Sequence, residues 1–287
     1  MLKNVTSIDP LRKRFGIVES LRMLKEAGFD GADLSLFQIF EWYTDTANFC
    51  KTAKAAAKEF GMPFLQAHAP FPSREYGNDA VGKKMEPYIR RAIEVAGELE
   101  AGIIVVHPIF CPPLTHKEQV EYNVEFYLTL ESLCREYGIK VALENIWGAV
   151  NDKPEPLLCS YGKDYNDYID ALPSDCFTAC ADIGHFRVVG ADPATELRAL
   201  GSRLGALHVH DNNGTNDLHA LPFTGGVIDW DSVCRALADI DYKGHFTFEV
   251  SLGAHPSPLL PSILYHLAQI GRYFTGKIEE YKQNPSL

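Results

Sequence analysis

Residues 178–185 read TACADIGH, a run of small and apolar side chains that ends on Asp182 with a second metal-ligand type, His185, three positions further on. One acid at the end of one strand would be ordinary. The same figure recurs on both sides of it. FLQAH (64–68) and IIVVH (103–107) end on His68 and His107, KVALE (140–144) on Glu144 and LGALH (204–208) on His208, while FTFEV (246–250) carries Glu249 one residue before its end. Each run has the length of a strand, and a turn and a longer segment of helical spacing follow it. That alternation predicts βα units in a parallel sheet. In a closed parallel barrel the C-terminal ends of the strands converge on one mouth, which is where such barrels do their chemistry. Asp217 and His219, in DLH after the seventh strand, aim at the same cup.

Working outward, eight units can be counted, and the fold class is α/β, a single (β/α)8 TIM barrel over 1–287. Strand one is about Asn4 to Ile8, with a helix around Val18 to Ala27. Strand two is about Gly31 to Leu36, with a helix through KTAKAAAKEF. Strands three and four end at His68 and His107. After strand four, Val120, Val124, Tyr127, Leu130 and Cys134 recur at steps of three and four, which is one face of a helix. Strands five to eight end near Glu144, Asp182, His208 and Glu249, and a last helix covers roughly Leu259 to Tyr273. Period-two alternation puts Glu249, Thr247 and His245 on one side of strand eight and Phe248 and Phe246 on the other, against the helical ring. By the same rule Glu144 and Ala142 face inward on strand five.

Length and composition suit one such barrel. The chain has 287 residues, 46% of them hydrophobic and 23% charged, where the fold typically needs about 250. No apolar run reaches the roughly 18 residues of a membrane span, and the N-terminus lacks the apolar core of a secretory signal. Seven scattered cysteines without a C-x-x-C pair point to reduced thiols in a cytoplasmic protein rather than to disulfides or a thiolate zinc site. A net charge of −11 disfavours a nucleic-acid partner, which needs a basic stripe. A homo-oligomer is compatible with everything read here.

Glu144, Asp182, His208 and Glu249 make a hard oxygen and nitrogen set suited to Zn, Mn, Co or Mg. Any one of them alone would more often be a polar residue facing water or capping a helix; four on successive strands argue for a divalent cation. His208 is preferred to His210 because Asp211 and the Asn212–Gly214 turn end the strand, which leaves His210 to contact substrate or a ligand carboxylate. His116, His255 and His266 read as surface histidines, and His245 lies too deep toward the barrel floor. The longest irregular stretch, Ile146 to Lys163, has Trp147 placed to close over a substrate, or is a surface excursion pinned by Pro154 and Pro156. The aromatic segment FQIFEWY after strand two lines a sugar pocket or merely covers the rim. No G-x-S-x-G, G-x-x-x-x-G-K-[ST], H-E-x-x-H or strand-linked G-x-G-x-x-G occurs. Gly225-Gly226 reads as a turn feeding a helix capped by Asp229 more readily than as a phosphate cradle.

Taken in order, HAPF, VVHP, ALEN, ADIGH, LHVHDNNGTNDLH, GGVIDW and FTFEVS resemble the strand-end motifs of the xylose isomerase-like barrel superfamily, and within it the sugar phosphate isomerase/epimerase group, relatives of ketose 3-epimerases and endonuclease IV. The resemblance spans strands three to eight. It implies that Glu144, Asp182, His208 and Glu249 hold the principal cation and that His185 touches substrate or a further metal. His68, His107, Asp217 and His219 match the additional ligands of the three-zinc cluster of endonuclease IV, so up to three cations could be held. The arginine that ketose 3-epimerases carry six residues after the metal-binding histidine is replaced here by Gly214.

The reading is a divalent-metal-dependent isomerase or epimerase of a sugar, sugar phosphate or related polyol, working through an enediolate. Glu144 and Glu249 are expected to transfer the proton, and His68, His107, His185, His210 and Trp147 to contact substrate. The alternatives are a multi-zinc phosphodiesterase of the endonuclease IV kind and a sugar-binding barrel without catalysis.

Overall fold

The computed structural model describes residues 1–287 except 39, 40, 151, 152, 158, 285 and 287, and it describes no side chain for 149, 150 and 153. Ile39 and Phe40 of the aromatic strand-two segment, and Asn151, Asp152 and Leu158 of the long loop, therefore lie outside the described residues.

The chain alternates strand and helix. β1 (Asn4–Ser7) leads to α1 (Asp9–Ala27), β2 (Gly31–Ser35) to α2 (Glu41–Thr44) and α3 (Thr46–Phe60), β3 (Phe64–His68) to α4 (Asp79–Glu98), and β4 (Ile103–Val106) to α5 (His116–Leu128) and α6 (Glu131–Tyr137). β5 (Lys140–Glu144) is followed by the short strands β6 (Trp147–Val150) and β7 (Lys153–Pro156) and by α7 (Gly162–Asp170). The remaining elements are β8 (Phe177–Asp182), α8 (Ile183–Val188), α9 (Pro193–Leu200), β9 (Leu204–His208), α10 (Trp230–Asp239), β10 (Phe246–Phe248) and α11 (Leu260–Gln283).

Eight parallel strands pair in the order β10-β1-β2-β3-β4-β5-β8-β9, and a parallel bridge from Val209 to Phe248 closes the ring. The architecture is a (β/α)8 barrel with its helices outside. Phe246 and Phe248 turn outward, Phe246 packing its ring 5.4 Å from that of Phe274 on α11, while Thr247 is fully buried inside. The register sets His68 beside Ser35 and Val105, Glu144 beside Cys180 and Asp182 beside His208, so the ligand residues come to one level.

One layer beneath them the barrel interior divides in two. Val105, Ala142, Cys180 and Ala206 form a small apolar cluster. Across from it, buried Asp33, Gln66 and Thr247 are hydrogen-bonded to one another: Gln66 Nε2 donates to Asp33 Oδ2 at 3.1 Å and Thr247 Oγ1 donates to Gln66 Oε1 at 3.3 Å.

Several boundaries differ from the expected ones. α1 is two helical segments joined at Gly16, whose φ of 75° and ψ of 173° are not helical: a first one from Asp9, where Pro10 suits a first helical turn, and a second after Gly16 that meets the helix expected around Val18 to Ala27. The single helix expected after β4 is two: Thr129 ends α5 by turning its hydroxyl onto the Phe126 carbonyl, and α6 starts at Glu131. α11 continues to Gln283, where buried Phe274, Ile278 and Tyr281 prolong its apolar face. The long loop contains the antiparallel hairpin β6–β7, which pairs Trp147 with Pro156. Asp229 caps α10 by accepting the Asp231 and Ser232 N–H groups, in keeping with the turn reading of Gly225-Gly226. Among the described residues no helix is long and apolar enough to cross a membrane.

Candidate functional site

At the mouth, three groups of side chains each bring ligand atoms within 4.8 Å of one another: Glu144, Asp182, His208 and Glu249; His68, Glu144 and His208; and His185, His210, Asp217 and His219. The first group unites the four strand-end residues. Its centre is His208 Nδ1, which lies 3.0 Å from Glu144 Oε1, 3.3 Å from Glu249 Oε2 and 4.0 Å from Asp182 Oδ2. Glu144, Asp182 and His208 are buried, while Glu249 also borders the open pocket. Glu249 and His107 fall one residue beyond β10 and β4, where a side chain can lean over the rim.

Three imidazoles share one arrangement. His68, His185 and His219 each turn Nδ1 onto a backbone carbonyl, those of Ala69 (2.7 Å), Asn145 (2.8 Å) and Glu249 (2.8 Å). A carbonyl can only accept, so each Nδ1 carries a proton. Each Nε2 then faces a carboxylate: His68 meets Glu144 Oε2 at 3.2 Å, and His185 and His219 meet Asp217 Oδ2 at 3.2 and 3.3 Å. Burial lowers the His68 pKa, which favours the neutral ring and leaves a lone pair opposite a carboxylate oxygen. Two acceptors facing each other call for a cation between them. The same set explains the pKa values around Asp217 when no cation is present. Burial would lower His185, but Asp182, Asp217 and Glu144 outweigh it and hold the ring at about 10. His219 is held at about 9 against burial by Asp217 and Glu249, and these two imidazoles keep Asp217 well below the usual carboxylate range despite burial. A divalent cation supplies the same charge compensation with the rings neutral, so the donors fit such an ion.

Asp182 is fixed from three sides. Asn145 accepts its backbone N–H (2.6 Å) and donates to its carbonyl (3.0 Å), His210 Nε2 reaches its Oδ1 at 3.0 Å, and its Oδ1 accepts the His185 N–H as the cap of α8. His210 is fully buried beside Asp182 and Asp217, beneath the pocket rather than on its wall. His107 Nε2 lies 3.0 Å from Glu144 Oε2.

The open space above these groups is a pocket of about 310 Å³, at the low end of small-molecule sites. Glu144, Glu249, Asp217 and four histidines, 68, 107, 185 and 219, form its polar side; Phe37, Phe71, Ile146 and Trp147 form the apolar side. Phe71 stacks on His107 at 4.7 Å and meets Phe37 edge-on at 5.1 Å. A larger groove of about 480 Å³ beside Lys54, Pro63 and Glu98 opens at the N-terminal end of β3, away from every one of the ligand groups.

Sequence reasoning overlooks Asp33, Asn145 and Phe71; Phe37, from the FQIFEWY segment, lines the pocket. Asp33 shares a face with Ser35 in GADLS, and the alternation rule would place its carboxylate inside the barrel. Asn145 follows Glu144 directly, but its clamp on Asp182 depends on the pairing of β5 with β8. Burial, together with Glu249 and Glu144, pushes Asp33 up to about 7, against the pull of His208 and Gln66.

Comparison with known proteins matches residues 21–263 to the family described as Xylose isomerase-like TIM barrel. An uncharacterised protein of Methanocaldococcus jannaschii is 32% identical over 64% of this chain, and the chain spans 64% of that relative's length. Fructoselysine 3-epimerase of Shigella flexneri is 24% identical, with 83% of this chain and 86% of the relative covered. The crystal structure of a D-tagatose 3-epimerase-like protein superposes with a TM-score of 0.74 at 22% identity, each chain covered completely; at that identity the likeness speaks for the fold.

Proposed function

As the chain belongs to the xylose isomerase-like TIM barrel family, we propose that it is a divalent-metal-dependent isomerase or epimerase of a sugar, sugar phosphate or related polyol. The observation that carries this is the arrangement of His68, His185 and His219, each with Nδ1–H on a backbone carbonyl and Nε2 on a carboxylate. Imidazoles so oriented are what a metal site needs, and the relatives that match over most of this chain's length include a 3-epimerase.

Glu144, Asp182, His208 and Glu249 would hold the principal cation. When bound, it supplies Lewis acidity at the substrate's carbonyl oxygen, so that the neighbouring C–H becomes acidic. Glu144 stays ionised, since His208 and His107 outweigh the burial that would raise it, and an ionised carboxylate can accept the proton. Glu144 and Glu249 both come close to His208 Nδ1, at 3.0 and 3.3 Å, and the pair would take a proton from one face of the carbon and return it, or deliver it from the other. Asp182, clamped by Asn145 and His210, keeps the ligands in place. His68, His107 and His185 orient the hydroxyls, with His210 behind them. Trp147, Phe37 and Phe71 exclude water from the reacting side. His68, His107, His185, Asp217 and His219 also have the chemistry for additional cations. We place this one-domain barrel in the cytoplasm on the strength of its seven unpaired, buried thiols, and its charge of −11 speaks against nucleic acid as substrate.

Purified without chelator, the protein is expected to carry near-stoichiometric divalent metal, and His208→Ala to lose most of it. Glu144→Gln and Glu249→Gln should each slow solvent-deuterium exchange into a ketose substrate by about 100-fold or more while the fold is kept. Unchanged exchange in both variants would rule out the carboxylate pair. Because ligand groups beyond the principal one occur, phosphodiester hydrolysis of the endonuclease IV kind is the second reading. Metal-dependent incision of an abasic duplex by the parent protein would move the assignment there.

A further inference from the structure

His208 breaks the pattern of its neighbours. Where His68, His185 and His219 point Nε2 at a carboxylate and rest Nδ1–H on a carbonyl, His208 presents Nδ1 to Glu144 and Glu249. Its Nε2 faces down into the barrel and is fully buried without a hydrogen-bond partner among the described residues. Directly below, on β2, lies another buried and unsatisfied atom, Asp33 Oδ1, and the Oδ2 of the same carboxylate is 3.8 Å from His208 Nε2. A buried unpaired donor and a buried unpaired acceptor are each costly. Here they belong to two groups that face each other. Gln66 Nε2 donates to that same Asp33 Oδ2 at 3.1 Å, leaving Oδ1 free to accept, and also donates to the Leu207 carbonyl at 3.3 Å, while Thr247 fixes the Gln66 oxygen. The polar half of the central layer is therefore a bracket from β2 through β3 to β10 that steadies one carboxylate beneath one imidazole.

We propose that Asp33 is the positioning residue of the principal metal site: its carboxylate accepts the Nε2–H of His208, fixing the tautomer in which Nδ1 offers its lone pair to the cation. The inference rests on the metal-site reading above. Carboxylates behind ligating histidines typically contribute 10–100-fold to metal affinity. The thiol of Cys180 also lies beside His208 and is the competing partner.

The test uses the full-length protein stripped with chelator, with Mn²⁺ as probe. Asp33→Asn should weaken Mn²⁺ binding, measured by competition with a chelating dye, by about 10–100-fold, whereas Cys180→Ala should bind as the parent does. In the parent loaded with diamagnetic Zn²⁺ and labelled with ¹⁵N-histidine, the protonated nitrogen of His208, assigned by its disappearance in His208→Gln, should be Nε2. Proton on Nδ1, or affinity lost in Cys180→Ala and kept in Asp33→Asn, overturns the proposal. The tautomer measurement decides it even if Asp33→Asn fails to fold. A parent protein that binds no Mn²⁺ or other divalent ion would instead overturn the metal-dependent reading.

Discussion

Gly184 shows how tightly the site is built at the scale of single residues. A Cβ placed on it would come 1.9 Å from His210 Cε1 and 2.5 Å from both ring nitrogens, so α8 can pass over His210 only because residue 184 has no side chain. His210 in turn holds Asp182. Gly184→Ala should therefore displace the imidazole, destabilise the fold by about 1–3 kcal/mol as overpacking does, and release cation from the principal site. Urea unfolding together with metal content checks this. A variant as stable and as metal-rich as the parent would mean that His210 has room to move and that Asp182 does not depend on it. The histidines and acids that end strands are legible in the sequence because strand length and the barrel's polarity specify where they must point. Asn145, Gln66 and the underside of His208 are not, because their partners lie 37, 141 and 175 positions away and meet them only through the register of the barrel.

Among elements, the hairpin β6–β7 is where the sequence misleads. IWGAVNDKPEP carries two prolines, which argue against central strands but are tolerated in a two-stranded ribbon that pairs with no further strand among the described residues. Trp147, at its start, lines the pocket. The helices were legible in kind and blurred at their ends. Capping groups such as Thr115 with Glu118 on α5 fix those ends locally, whereas the break at Thr129 and the extension of α11 answer to packing. Trp147→Ala is expected to keep the bound metal and to raise KM by about tenfold, the equivalent of ~1.4 kcal/mol of lost binding, with kcat little changed because the ring makes the same contact in ground and transition states. A fall in kcat at constant KM would instead place the indole beside the reacting atoms.

For the molecule as a whole, the barrel and its helical ring enclose all seven thiols, and that burial has a consequence for pH dependence. Loss of solvation pushes Cys50, Cys134, Cys180 and Cys234 up to about 12 and Cys111 and Cys159 to about 11, from an ordinary value of 9.0. Each folded-state pKa lies above the unfolded one, so the folded chain retains protons that the unfolded chain gives up. This contribution to stability is complete below pH 9 and is lost as pH rises through the interval from 9 to about 12. The buried phenols of Tyr127, Tyr165 and Tyr242, raised by the same loss of solvation, steepen the decline from the upper part of that range. The urea midpoint should accordingly hold up to about pH 9 and fall steeply from there to about pH 11. A thiol reagent at about pH 8 should find no reactive cysteine in the folded protein and seven after denaturation. A midpoint flat across that window, or rapid labelling of the folded chain, would mean that the ring of helices opens far more readily than its packing implies.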